Sequence, residues 1–402
     1  MDHSIVGCEL QDAMPGYDFD VGSLYDELQT VADTRKAQGK RWPTAVVLLF
    51  ALLAKLAGQD SERGIATWIN LRIQTLNQAL GLPVYHNRQR VVSGPHATTY
   101  ARVLGRTLNP GELDRLVHRY LTRQARVQQA KQVCLDGKTL RGTLSPQQPL
   151  GVRVLEAYQP QTGVGLRQTT IGSAQGELSV AAPLLKGLDL RGKIITADAL
   201  FTQRELSEQI VAAGGDYVWK AKDNQSQLCA DIALTFQAQT ASAGSNVPPY
   251  DERLATSVDD GHGRIERRTL RVSSDLQDYI DWPRAAQVFV YQVRVWHPLS
   301  GKRSERVTYG LTSLSAAEAS PHQLLQLVRA HWGIENGLHY RRDVTLHEDA
   351  GHWRLPNLGF VMALLNTLAL SLLGRDLSTP AQRLACDASP LRALLLLLKA
   401  PA

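Results

Sequence analysis

Apolar side chains recur at helical spacing over the first third of the chain: Leu24, Leu28 and Val31, a nearly unbroken run over residues 46–56, then a stripe from Leu104 to Leu121. That pattern predicts an all-helical front domain over residues 1–128. After Lys131 the period shortens. The apolar run 132–135 and the segments 152–158 and 164–171 read as strands, the last two joined by the hairpin turn Pro160-Gln-Thr-Gly. A helix over 179–188, a strand over 193–197, a helix over 203–213 and a strand over 216–220 follow, so this part of the sheet is expected to be parallel with right-handed crossovers. Strand-like pieces return at 268–272, 287–295 and 306–311 between turns rich in Gly, Pro and Asp, as a β-rich insertion at about 241–315 within which 241–249 reads as mobile. Helical spacing resumes at Pro321, where Leu324, Leu327, Val328, Ile334 and Leu338 share a stripe with Glu335 at its edge. The expected fold class is α/β: a mixed sheet core in a catalytic domain over 129–402, interrupted by the insertion before the Glu335 helix and closed by C-terminal helices.

Two apolar runs bear on membrane insertion. Residues 46–56 are too few to span a bilayer and include Lys55, and residues 358–373 contain Asn366, Thr367 and Ser371, so the second run is expected to be a buried core helix. Composition adds limits rather than direction. With 402 residues, 44% hydrophobic and 20% charged, the chain matches a soluble globular protein and excludes a fibrous or wholly disordered one. Lys and Arg outnumber Asp and Glu by 44 to 38, a net charge of +6 that suits a polyanionic partner. Cys8, Cys134, Cys229 and Cys386 lie far apart with no ligand spacing, which argues against a disulfide framework and a zinc site. The first residues lack the basic start and long apolar run of a secretory signal, so the cytoplasm is the expected compartment.

Three carboxylates stand out. Asp136 follows Val133-Cys-Leu and precedes Gly137, and Asp198 follows Ile194-Ile-Thr-Ala at the C-terminal end of an expected parallel strand, the side of an open α/β sheet where sites form. Either one alone is more often a turn or cap residue. Glu335 shares a polar helix face with His331 and His339 at i−4 and i+4, which reads equally as a solvated face with internal pairing or as a site. Asp343, Glu348 and Asp349 are acidic rivals to it. The order His-x3-Glu-x3-His is not the His-Glu-x-x-His of zinc proteases, which argues against that chemistry. The front domain carries Arg35, Lys36, Lys40, Arg41, Arg102, Arg106, Arg115, Arg119, Arg123 and Arg126, either facing DNA phosphates or lying on solvated helix faces.

These residues occur in motifs that resemble a known group. LDGKTLRG (135–142), TADALFTQ (196–203), GDYVWKAKDNQ (215–225) and HWGIENGLH (331–339) with DVTLHED (343–349) resemble, in order, the ISAs1 family of bacterial insertion-sequence transposases, relatives of the H-repeat-associated proteins within the DDE transposases. DTRKAQGKRWP (33–43) and LAGQDS (56–61) resemble that family's associated N-terminal domain. The resemblance implies an RNase H-like core with Asp136, Asp198 and Glu335 as the catalytic, metal-holding triad. It also implies two Mg²⁺ ions, replaceable by Mn²⁺, that serve hydrolysis and strand transfer of DNA at element ends. Lys138, Arg141, Lys220, Lys222, Asn224, Gln225, Arg329, His331, Arg341 and Arg342 are the implied DNA contacts. The implied partners are double-stranded DNA, as terminal inverted repeats and target, and further copies of the chain, with the protein nucleoid-associated when bound. Where the wider group carries Tyr, Arg and Lys around its glutamate, Val328, His331 and Arg342 stand here. Trp332 beside the apolar stripe is expected in the core. The alternative function is an inactive or domesticated DNA-binding derivative; a general metal-dependent nuclease is a third.

Overall fold

Alternating apolar segments pair into one nine-stranded sheet in the computed structural model, which describes residues 20–37, 40–87, 89–237, 251–374 and 379–399. The first residues with Cys8, and the 241–249 stretch, lie outside the described residues. The strands are β1 (Gln132–Leu140), β2 (Val152–Gln159), β3 (Val164–Ile171), β4 (Ile194–Thr196), β5 (Asp216–Ala221), β6 (Arg253–Gly261), β7 (Arg264–Ser273), β8 (Gln287–Trp296) and β9 (Arg303–Thr312). Their order is β3-β2-β1-β4-β5-β9-β8-β7-β6. The hairpins β1–β2 and β2–β3 are antiparallel, while β1–β4 and β4–β5 are parallel. From β5 outward every pairing is antiparallel.

The segment from β6 to β9 does not form a layer of its own. Val218 of β5 pairs with Thr312 of β9, so these strands lengthen the sheet at the β5 edge. The sequence pattern had no counterpart for β6, because only Ala255 of this strand is buried while Leu254 and Val258 face solvent. The β6–β7 turn at His262 and Gly263 has positive φ at both residues, 53° and 70°, the geometry of a tight hairpin that follows the strand twist.

The front helices are α1 (Leu24–Gln29), α2 (Thr44–Leu56), α3 (Glu62–Leu80), α4 (Ala97–Arg102), α5 (Pro110–Thr122) and α6 (Ala125–Gln129). Helix α3 starts where the Ser61 side chain accepts from Gly64 N and stops at Gly81, whose φ of 59° favours glycine. Asn109 and Pro110 start α5 in the same way. Helices α7 (Glu177–Lys186) and α8 (Arg204–Ala212) bridge β3 to β4 and β4 to β5, and α9 (Ser226–Gln237) follows β5. Ser320 and Gln323 form a capping box for α10 (Pro321–Ala330).

Helix α11 (Leu358–Leu373) is buried apart from Leu372 and packs against β3 on one side and α2 on the other. It is a core helix, and no helix among the described residues is long and apolar enough to cross a membrane. Helices α12 (Thr379–Ala388) and α13 (Pro390–Leu398) fold back onto α2. One buried apolar cluster therefore runs from Leu24 to Leu398 and joins the front helices, the sheet and the C-terminal helices.

Candidate active site

Strand β1 is fully buried through Leu135 and opens at Asp136. Cys134 pairs in parallel with Thr196 of β4, so two residues further on Asp136, midway along β1, and Asp198, just past the end of β4, come level. Asp198 lies just beyond β4 and caps a short turn by accepting from Leu200 N at 2.9 Å. Three side chains pin that turn. Asn224 donates to Ala199 O at 2.9 Å, Gln225 donates to Thr202 O at 3.0 Å, and the Thr202 hydroxyl donates to Lys220 O at 2.6 Å.

Beyond α10 the helix widens into two π turns, Glu335–His339 and Arg341–Thr345, a distortion that recurs at functional sites. Its inner face lies on the sheet. His331 is buried with Nδ1 3.3 Å from the Thr196 hydroxyl. Gly337 is pressed onto Tyr158, whose hydroxyl would collide with any Cβ there. Glu335 stays half exposed and His339 is buried. One donor atom each from Asp136, Glu335 and His339 lie within 4.8 Å of one another. His339 Nδ1 is 3.6 Å from Asp136 Oδ2 and 3.8 Å from Glu335 Oε2, and its Nε2 is 2.9 Å from Glu156 Oε2.

Asp136 and Glu156 are direct partners across β1 and β2, and therefore project from the same face. Like charges so placed repel, and two cations answer them. His339 stands between the acids, and Arg342 binds Glu156 from behind. Arg342 also forks onto Glu348 at 2.7 to 3.0 Å, and Asn366 donates to Glu348 at 2.9 Å. None of Arg342, Glu156, Glu348 or Asn366 is more than 1% exposed.

Burial pushes Asp136 up to about 7, with the His339 charge opposing and the neighbouring Glu335 adding to the rise. Glu335 is lowered, chiefly by the His339 ring beside it. Burial disfavours the His339 cation, but Glu156 and Glu335 outweigh it and raise the ring to about 9. Burial likewise opposes the Glu156 charge, yet Arg342 and His339 hold it at about 2. The Glu335 charge thus adds to what disfavours an ionised Asp136, in a place where a divalent cation would neutralise both. Oxygen donors at this spacing fit such an ion. Asp198 stands outside the three-donor cluster.

A further acid was not singled out from the sequence. Glu177, in the first turn of α7, fills the space that Gly137 leaves beside Asp136, and burial with the Asp198 charge raises its pKa. The signal for it was Gly137, whose missing side chain admits a neighbour. The three rivals of Glu335 are engaged elsewhere: Asp343 with Lys138 at 2.6 Å, Asp349 with Arg141 N at 3.0 Å, and Glu348 with Arg342.

The implied DNA contacts divide into three groups. Arg141 and Lys222 are exposed beside the site, and Lys220 is half buried, its pKa lowered to about 8 by burial and by Arg306 and Lys222. Lys138, Arg329 and Arg341 are tied to protein groups: Asp343, Asp259 at 2.7 Å, and Gly374 O at 3.3 Å. Asn224 and Gln225 hold the Asp198 turn. Arg342 and His331 correct the expectation, since both lie inside the protein, Arg342 in the buried ion network and His331 against Thr196, and neither reaches a DNA backbone from there. Burial lowers His331 to about 3, with Lys220 adding to the effect. Trp332 departs from its expected place too. It is 49% exposed, with the Arg306 guanidinium over its ring at 5.9 Å.

An aspartate within one strand and another just past its parallel neighbour, beside a helix-borne glutamate, fit the setting of metal-dependent phosphoryl-transfer enzymes. Residues 128–372 match the family model described as a transposase DDE domain, and residues 25–121 match the one described as DDE_Tnp_1-associated. The chain belongs to the DDE transposase family, whose members are nucleases and strand transferases. Escherichia coli (strain K12) YbfL is 24% identical over 363 residues, covering 88% of this chain and 90% of that one. The same organism's "H repeat-associated putative transposase YhhI" is 23% identical over the same length, with the same coverage. The piggyBac transposase in a synaptic complex with hairpin DNA, solved by cryo-EM, covers 93% of this chain and 77% of its own at 12% identity, with a TM-score of 0.37, too loose a likeness to bear on the site.

Proposed function

We propose that this transposase is of the ISAs1 type. In this reading it cuts and joins the terminal inverted repeats of an insertion sequence through Asp136, Asp198 and Glu335. The reading includes an RNase H-like core formed by β1 to β5, extended by the β6–β9 insertion, in a catalytic domain over 129–402 behind a helical domain over 1–128. It acts in the cytoplasm, at the nucleoid, as a homo-oligomer that holds two DNA ends. The observation that supports it most is the meeting of Asp136 and Glu335 in one cluster of donor atoms, with Asp198, just past β4, level with Asp136.

Asp136, Asp198 and Glu335 would hold two Mg²⁺ or Mn²⁺ ions, which when bound activate water or a DNA 3′-hydroxyl and neutralise the entering and leaving oxygens. Asn224 and Gln225 keep the Asp198 turn from drifting, and the exposed Arg141 and Lys222 take backbone phosphates. The test is incubation of the purified chain with DNA carrying the element's ends and a target plasmid, in Mg²⁺ and in Mn²⁺. Cleavage at the ends followed by joining of the new 3′-hydroxyl to the plasmid is expected. Binding without cleavage in either ion would favour the inactive derivative, and cleavage without joining would favour a general nuclease.

A further inference from the structure

The cluster contains a nitrogen donor that the three-carboxylate reading does not use. His339 is 5% exposed, and its two ring nitrogens have separate tasks. Nε2 meets Glu156 Oε2 at 2.9 Å, and Glu156 is fixed in turn by Arg342. Nδ1 faces the two carboxylates at 3.6 and 3.8 Å, beyond ordinary hydrogen-bond length. A ring that donates from Nε2–H to a carboxylate turns Nδ1 outward, and once an ion displaces the Nδ1 proton the freed lone pair has the orientation that a carboxylate–histidine pair gives to a metal ligand. Ligands about 2.1 Å from a common ion stand roughly 3 Å from one another. The three donors need only a modest side-chain closure to reach that spacing. Gly337 against Tyr158 and the ion network behind Glu156 fix the backbone that carries the ring.

We propose that His339 ligates, through Nδ1, the cation held by Asp136 and Glu335, with Glu156 as its orienting partner. The proposal rests on the reading of Asp136 and Glu335 as metal ligands. A neutral imidazole adds no charge, so two carboxylates still balance one divalent ion, but a nitrogen donor biases the site toward Mn²⁺ or Co²⁺ over Mg²⁺.

The experiment is pulsed electron paramagnetic resonance on the full chain loaded with Mn²⁺ in the absence of DNA. Samples are the natural-abundance protein, protein labelled with ¹⁵N-histidine, His339→Gln and Asp136→Asn, all checked for fold by circular dichroism. The expected result is a ¹⁴N modulation on bound Mn²⁺ that changes to the ¹⁵N pattern on labelling and vanishes in His339→Gln. Binding of Mn²⁺ to that variant should be roughly 10–100-fold weaker. The labelled wild-type sample gives the nitrogen readout even if His339→Gln fails to fold. Mn²⁺ binding that depends on Asp136 but shows no nitrogen modulation, or a modulation that persists in a folded His339→Gln, overturns the His339 proposal and leaves the carboxylate site intact. Loss of no Mn²⁺ in Asp136→Asn overturns both.

Discussion

Replacing Arg342 separates a buried structural cation from a DNA contact. Arg342→Met keeps most of the side-chain volume and removes the guanidinium, leaving Glu156 and Glu348, each 1% exposed, without their main cation. Breaking a buried pair in this way costs about 3–5 kcal/mol, because an uncompensated charge is left in the interior. In a chain of this size, at about 2 °C per kcal/mol, the melting temperature should fall by roughly 5–10 °C. Arg342→Lys should lose less, since it keeps a charge but not the fork onto Glu348. The second readout is DNA affinity against salt concentration at a temperature where the variant is folded. A phosphate contact would lower the salt slope by about one when removed, whereas the buried position predicts an unchanged slope. A variant that melts with the parent protein and shows the reduced slope would refute the reasoning.

In the Asp198 turn, Asn224→Ala and Gln225→Ala each remove a hydrogen bond to backbone, and should slow end cleavage in a gel assay while end binding, measured alongside, stays within about twofold. Leu364→Ala in α11 opens space in the shared core and should cost about 2–5 kcal/mol in urea unfolding. His118, on α5 and half-buried against β3, is bonded to Leu166 O at 3.2 Å and has a pKa lowered to about 4, first by burial and then by Arg167. Its folded pKa lies below the unfolded value near 6.5, so the unfolded chain binds the extra proton between the two. Stability should therefore be full above pH 6.5 and fall by about 2–3 kcal/mol as pH drops to 4. His118→Asn should flatten that part of a pH series of denaturation curves.

Much of the sheet was legible because β1 to β5 carry apolar residues with Gly, Pro or Asp at their ends, and the resulting segments differ from the observed strands mainly at their limits. Strand β6 was not, because a strand with one buried side chain has almost no alternation to read. Helix α9 was missed in the passage between a strand and the insertion. The continuation of the sheet from β5 into β9 is a long-range pairing that no local pattern encodes. At the site, aspartates that follow short apolar runs and a polar helix face are local signals, although β1 runs on past Asp136 to Leu140. The partnership of His339 with Glu156 is not local, since it depends on the register that sets Asp136 against Glu156. Arg342 illustrates the same gap: spacing placed it two turns from Glu335, but the π turns and two buried acids decide that it points inward.

The central claim is that Asp136, Asp198 and Glu335 act as one catalytic centre, and Asp198 is its most exposed test because it stands outside the three-donor cluster. The direct measurement is the single-turnover rate of end cleavage by Asp198→Ala in Mg²⁺ and Mn²⁺, beside a binding assay on the same DNA. The account predicts that end binding persists while cleavage falls by about three orders of magnitude or more, of the size seen when a principal transition-state contact is lost. Cleavage at the parent rate by a folded Asp198→Ala protein would contradict it.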